Sequence, residues 1–218
     1  MGEKGLFLQK IRSMQIAILA NDDQKQAWVA AFGEGDWLWC GSVRALAAST
    51  ADVYVDMSYH KDPERDAVLM QRSGALILVN EVVDSVPFAR FNGWNGFLKR
   101  AVWEIAGLSE EQRAICDRFF ETIGKQYRVV PDVPGMIGAR VVACIINEAY
   151  ITAGDGISSK EDIDIAMKLG TGYPYGPFEW AESIGKEQVF RLMKRLATED
   201  SRYTVAPLLI NECVKIQG

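Results

Sequence analysis

Short continuous apolar runs alternate with amphipathic stretches through the first 130 residues. Gln15–Ala20, Trp37–Cys40, Ala51–Met57 and Ala75–Asn80 have the length and composition of buried strands. Between them, Asn21-Asp22-Asp23 offers N-cap side chains to a helix over Gln24–Phe32, and Asp62–Arg72 fits a short helix broken by Gly74. This βαβ alternation predicts a small parallel sheet covered by helices. Ser109-Glu110-Glu111-Gln112 then reads as a capping box opening a helix to Gly124, with Ile115, Phe119, Phe120 and Ile123 on one stripe. Gln126–Val130 returns to a strand pattern.

After Pro131 no strand pattern remains. Pro134-Gly135 leads into a long helix from Met136 to about Ala153, ended by Gly154. Ser158-Ser159-Lys160-Glu161 reads as a second capping box, for a helix to Leu169 stopped by Gly170. Pro174 and Pro177 bracket a turn, and two or three further helices follow. The pattern divides the chain into an α/β part, residues 1–130, and an all-helical part, residues 131–218.

Composition narrows the classes. Hydrophobic residues make up 49% and charged residues 24%, as in an ordinary globular chain with a real core. The net charge of −5 is spread evenly, with 15 basic and 17 acidic residues in 1–130 and 9 and 12 in 131–218. Neither part is basic, which argues against nucleic acid or an anionic membrane as partner. Cys40, Cys116, Cys144 and Cys213 lie 76, 28 and 69 residues apart, without metal-ligand spacing. Reduced thiols and no bound metal are expected, with Cys116 and Cys144 in the core. The apolar run Ile16–Ala20 is too short for a signal-peptide core, and the Met-Gly start has Leu6 where acylation wants Ser or Thr. Val133–Ile146 is interrupted by Arg140 and too short to span a bilayer, so a cytoplasmic location is expected.

The chemistry-bearing residues are few. A dinucleotide fingerprint needs glycines in the first βα turn, where backbone amides approach the pyrophosphate. Here the turn is Ala20-Asn21-Asp22-Asp23, with two carboxylates where phosphates would lie. The expected cofactor is therefore none. Gly33-Glu34-Gly35 follows a helix and reads as a loop. His60, the one histidine, follows a strand at the carboxyl edge of the expected sheet, where open α/β sheets place ligands. Glu81 and Glu104 are carboxylates open to acid–base work, and Lys99-Arg100 reads as a surface pair.

One stretch carries a resemblance. Asp132-Val133-Pro134-Gly135-Met136-Ile137-Gly138-Ala139-Arg140, Glu161–Gly170 and Gly172–Glu179 resemble three motifs of the C-terminal helical domain of the 3-hydroxyacyl-CoA dehydrogenases. Upstream, Arg90–Phe97 and Val102–Ile105 resemble that family more weakly, as does Ala75–Asn80. The resemblance implies a small truncated Rossmann-like parallel sheet followed by an all-α domain of the 6-phosphogluconate-dehydrogenase C-terminal type. It also implies a homodimer through the helical domain, for which Ile145, Ile146, Ala149 and Ile165 are the expected apolar face. Gly135, Gly170, Gly172, Pro174 and Pro177 are read as structural.

That family oxidises the 3-hydroxyl of an acyl-CoA with NAD, using a histidine base, an orienting glutamate, and Ser and Asn on the substrate oxygen. Carried over, the histidine position holds Asn95, whose amide is no base, while Glu104 keeps the glutamate position at a shorter spacing. The Asn-Thr-Ser site reads Asn80-Glu81-Val82, and the asparagine of the first motif is Ala139. About ten residues before Ala51–Met57 replace the family's long CoA-holding excursion, and the chain ends at Gly218 without the family's terminal segment. The expectation is a shortened homologue without NAD binding or catalysis, acting as a dimeric binding or assembly protein, with an acyl-CoA or other small molecule as ligand. The alternative is a divergent NAD-dependent dehydrogenase of hydroxyacyl-CoA or a small hydroxy acid, with His60 or Glu104 as base.

Overall fold

The computed structural model describes residues 14–72 and 74–215, Lys215 by its backbone alone. The Met-Gly start and the end at Gly218 lie outside the described residues. Seven strands form one sheet: β1 (Ile16–Leu19), β2 (Trp37–Cys40), β3 (Val53–Asp56), β4 (Leu76–Asn80), β5 (Ala89–Phe91), β6 (Val102–Ala106) and β7 (Gln126–Val129). Their order is β2-β1-β3-β4-β5-β6-β7, and every pairing is parallel except β5 with β6. β1 pairs with β3 in the register Ile16↔Val53, and β3 with β4 in the register Val53↔Leu76. A strand alternates its side chains between faces. Ile16, Ile18, Val53, Val55, Leu76 and Leu78 thus meet α1 (Asp22–Phe32) and α4 (Arg113–Thr122), with Trp28, Phe119 and Phe120 in the same core. On the opposite face Ala17, Tyr54, Ile77 and Val79 pack with Leu46 of α2 (Val43–Ala48) and Leu69 of α3 (Pro63–Leu69). Coverage on both faces is why β1, β3 and β4 are apolar almost without interruption.

The helical part is α5 (Gly138–Gly154), α6 (Lys160–Thr171), α7 (Pro177–Ile184), α8 (Lys186–Ala197) and α9 (Pro207–Lys215). α5 is the central helix. Its Ala143, Ile146 and Tyr150 are inaccessible and pack with Phe178, Leu192, Leu196 and Leu209. Asn147 ties α5 to the approach of α9, donating to Thr204 O at 3.0 Å and accepting from Ala206 N at 2.8 Å.

Several boundaries differ from those read from the sequence. α2, β5 and β6 were not expected as elements; α2 has six residues and β5 three, too short for a period to show. The box at Ser109 is half made: its amide donates to the Gln112 side chain at 3.4 Å, and α4 starts only at Arg113, without a side-chain cap. α5 starts at Gly138 rather than Met136, because Gly135 (φ +78°) and Met136 (φ +46°) are both left-handed. α6 is capped by Ser159, which accepts from Asp162 N, one residue later than expected, and closes at left-handed Gly172 rather than Gly170. Ile146 and Ala149, expected on an assembly face, are buried within the chain's own core. Cys144 is half-buried, while burial pushes the Cys116 thiol up to about 12. No helix among the described residues is long and apolar enough to cross a membrane.

Candidate functional site

The carboxyl ends of β1, β3, β4 and β5 open into a cleft of about 800 Å³, closed on its far side by the end of α7 and by α8. The chain order reverses between β1 and β3, the place where open α/β sheets form a crevice. Here that crevice is bridged. Asn21 caps α1 by accepting from Gln24 N at 2.9 Å, and Gln24 Oε1 accepts from Asn21 N at 3.0 Å. The same Gln24 side chain donates to Met57 O at 2.7 Å, and its Oε1 accepts from the Ser58 hydroxyl at 2.7 Å. One amide therefore joins the β1–α1 turn to the loop after β3, across the path a pyrophosphate would take to the α1 N-terminus. Asp22 and Asp23 occupy the first turn of that helix. About twenty residues on, where a ribose-binding carboxylate belongs, stand Cys40, Gly41 and Ser42.

Asn80 extends the network. Its amide donates to Met57 O at 3.0 Å and accepts from Gly93 N at 2.8 Å. A Cβ at Gly93 would lie 2.7 Å from the Asn80 side chain, so the loop after β5 approaches only as glycine. Just below the edge, Asp56 is fully buried and accepts from Arg65 Nε and Nη2 at 2.8 and 2.7 Å. Burial raises its carboxyl above the ordinary value, and the Arg65 guanidinium opposes that rise.

The structure brings Asn80, Asn95 and His60 to this one cleft. His60 is 62% exposed in its side chain and stands 4.0 Å from Asp62. Glu104 and Ala139 do not line it. The Glu104 carboxylate accepts from Ile137 N at 2.9 Å and from Gly138 N at 2.9 and 3.0 Å, so it seats the N-terminus of α5. Ala139 is inaccessible in the helical core. Among the described residues no group of three or more His, Cys, Asp and Glu side chains is placed to hold a metal ion.

Sequence reasoning did not assign roles to Gln24, Ser58 and Arg191, all of which line the cleft. Asn21-x-x-Gln24 is a capping-box spacing and signals the first. No local signal marks Arg191, which reaches the cleft only through the fold of α8. Glu81 directly follows β4 and is 4% exposed; its Oε1 accepts from the amides of Val83 and Asp84.

Residues 135–217 match the family model of the 3-hydroxyacyl-CoA dehydrogenase C-terminal domain. The 3-hydroxyadipyl-CoA dehydrogenase of Escherichia coli (strain K12) is 40% identical over 93 residues, 42% of this chain and 20% of that protein. The 3-hydroxybutyryl-CoA dehydrogenase of Clostridioides difficile is 42% identical over 98 residues, 43% of this chain and 35% of that protein. The chain thus matches about a third or less of the length of these relatives. The fold likeness runs further. The crystal structure of (S)-3-hydroxybutyryl-CoA dehydrogenase PaaH1 from Ralstonia eutropha aligns over 93% of this chain and 94% of its own, with a TM-score of 0.72 at 19% identity. The structure of FadB2 from M. tuberculosis aligns over 94% of both chains with a TM-score of 0.75 at 12% identity. Residues 135–217 thus match the 3-hydroxyacyl-CoA dehydrogenase C-terminal domain, and the chain as a whole shares the fold of these dehydrogenases, a Rossmann-type sheet with a helical domain behind it.

Proposed function

We propose that this chain is a non-catalytic, cytoplasmic member of the 3-hydroxyacyl-CoA dehydrogenase group, a dimeric binding or assembly protein whose cleft takes a small ligand but not NAD. The observation that carries this reading is the Gln24 bridge to Met57 O and Ser58. A dinucleotide would have to break both bonds, displace a helix cap and set its phosphates beside Asp22 and Asp23. The residues present do not fit NAD. The catalytic positions support the same conclusion: Asn95 stands where a base is needed, Asn80 is held by backbone groups on both sides, and Glu104 is committed to α5. The six-residue α2 stands where the resemblance implies a longer, CoA-holding excursion. For the dimer, the support is the apolar surface left on α6, where Ile165 is 52% and Leu169 83% exposed.

A second reading keeps a dehydrogenase reaction, and one observation favours it: Glu81 is a carboxylate on the cleft wall, a candidate proton acceptor in the cleft that His60 also lines. Calorimetric titration with NADH at low and physiological salt separates the two. No saturable binding up to millimolar NADH is expected. Micromolar binding overturns the first reading and makes Glu81→Gln and His60→Ala the next variants. Sedimentation of the purified chain tests the dimer, and a single monomeric species at micromolar concentration removes it.

A further inference from the structure

We propose that the cleft is a site for an α-amino acid with an apolar side chain, its ammonium group on Glu81 and its carboxylate on Arg191. The proposal rests on the reading above, that the cleft takes a small ligand rather than a dinucleotide. Its starting point is a carboxylate on the cleft wall with one oxygen uncommitted. Glu81 is 4% exposed and lines the cleft. Its Oε1 is engaged by the amides of Val83 and Asp84. Its Oε2 has no hydrogen bond among the described residues, and the Arg191 guanidinium stands off at 3.9 Å. This oxygen is open to the cleft and has no protein donor of its own, so it is free to accept from a ligand N–H.

Arg191 is complementary. It projects from α8, lines the same cleft and is 45% exposed, and among the described residues its guanidinium makes one long hydrogen bond, to Gln188 Oε1 at 3.4 Å, besides the 3.9 Å approach to Glu81. Most of its five donors remain for an anion, and a guanidinium fork suits a carboxylate. Two opposite charges that face each other without touching are matched by a ligand carrying both. A simple anion would meet Glu81 and Asp23, and a simple cation would meet Arg191 and Lys99. A zwitterion leaves the cleft's balance unchanged and pairs each charge. The cleft walls also carry Ala27, Ala30, Trp94 and Leu98, apolar surface for a side chain.

Saturation-transfer NMR on the full chain tests this, with L-leucine and L-phenylalanine as probes. The hydroxy analogue of leucine and isopentylamine serve as controls lacking the ammonium or the carboxylate. Transfer from both amino acids is expected, with at least roughly tenfold weaker binding of either control. Glu81→Gln keeps an acceptor for the Val83 and Asp84 amides, and Arg191→Gln sits on an exposed helix face, so folding is protected in both. Each is expected to weaken binding roughly tenfold or more. The proposal is overturned if neither amino acid shows transfer at millimolar concentration, if the hydroxy analogue binds equally well, or if Arg191→Gln binds like the parent. Saturable NADH binding would instead overturn the reading beneath it, so the two failures are distinct.

Discussion

Glu104 shows what one carboxylate does at the head of a helix. Its carboxylate accepts three short hydrogen bonds from the first amides of α5, which have no partner within the helix. A negative charge there also opposes the positive end of the helix dipole. Glu104→Ala should therefore lower stability by about 2 kcal/mol, seen as a lower urea midpoint at unchanged slope. Glu104→Gln retains the acceptor and loses the charge, so about 0.3–1 kcal/mol is expected. A parent-like midpoint for Glu104→Ala would show that the contact carries no weight. Gly138 belongs to the same joint, since a Cβ there would lie 3.0 Å from Arg100 Nη1 and 3.1 Å from Glu104 Oε1.

At the scale of elements, two of the three motifs behind the resemblance, Glu161–Gly170 and Gly172–Glu179, prove to be one piece of local architecture. Asp164 of α6 is 8% exposed and accepts from Phe178 N at 2.8 Å and Glu179 N at 3.1 Å, so it caps α7 from a neighbouring helix. Glu179 closes the box on Gly176 N at 2.9 Å and pairs with Lys168. A Cβ at Gly176 would fall inside the Asp164 carboxyl. Gly176→Ala and Asp164→Ala should each destabilise by about 1–3 kcal/mol, and their double variant by clearly less than the sum, because both remove one joint. α9 is held by a different device. Burial alone would raise the Glu212 carboxyl, but hydrogen bonds from Lys160 and Lys186 outweigh it and hold it below its ordinary value. Its contribution is then complete above the unfolded carboxylate value near 4.3 and is lost as pH falls through the lower folded value. Thermal melts from pH 6 to pH 3 should show an acid loss that is smaller in Glu212→Gln; an identical loss would remove Glu212 as a source.

Legibility follows the same division. β1, β3 and β4 were readable because each is a complete apolar run, and the cleft was readable because His60, Asn80 and Asn95 follow strands or their connections at one edge. β5 was not, since three residues hold no period. The hold of Glu104 on α5 was not legible, because its partners, Ile137 and Gly138, lie 33 and 34 residues away. Arg191 was invisible for the same reason: only the packing of α8 brings it opposite Glu81.

For the whole molecule, the question is what fixes the helical part against the sheet and so keeps the cleft in shape. Arg90 of β5 is fully buried, yet its three nitrogens all find partners, in the loop after β4 or in the segment 130–137 that crosses from β7 to α5. Nε donates to Asp132 Oδ1 at 2.5 Å, Nη2 to Val133 O at 2.8 Å and Nη1 to Glu81 O at 3.4 Å. Asp132 also accepts from Ser85, and Gly135 N donates to Val82 O at 2.6 Å. The crossing is thus sewn to the loop after β4, the loop that carries Glu81. Further out, Arg195 of α8 lies 3.5 Å from Asp84 of that loop. Removing one partner of a buried pair leaves the other charge unpaired, at about 3–5 kcal/mol. Asp132 is 33% exposed, so Asp132→Ala should fall at the lower end, about 3 kcal/mol, whereas Arg90→Ala also abandons two carbonyls and should cost more. The paired change Arg90→Met with Asp132→Ala removes both charges and should recover part of the loss. Urea unfolding of the three variants measures this. If the clamp also sets the cleft, Asp132→Ala should weaken amino-acid binding at temperatures where the chain remains folded. Unchanged binding would mean that α8 keeps its place opposite Glu81 by packing alone.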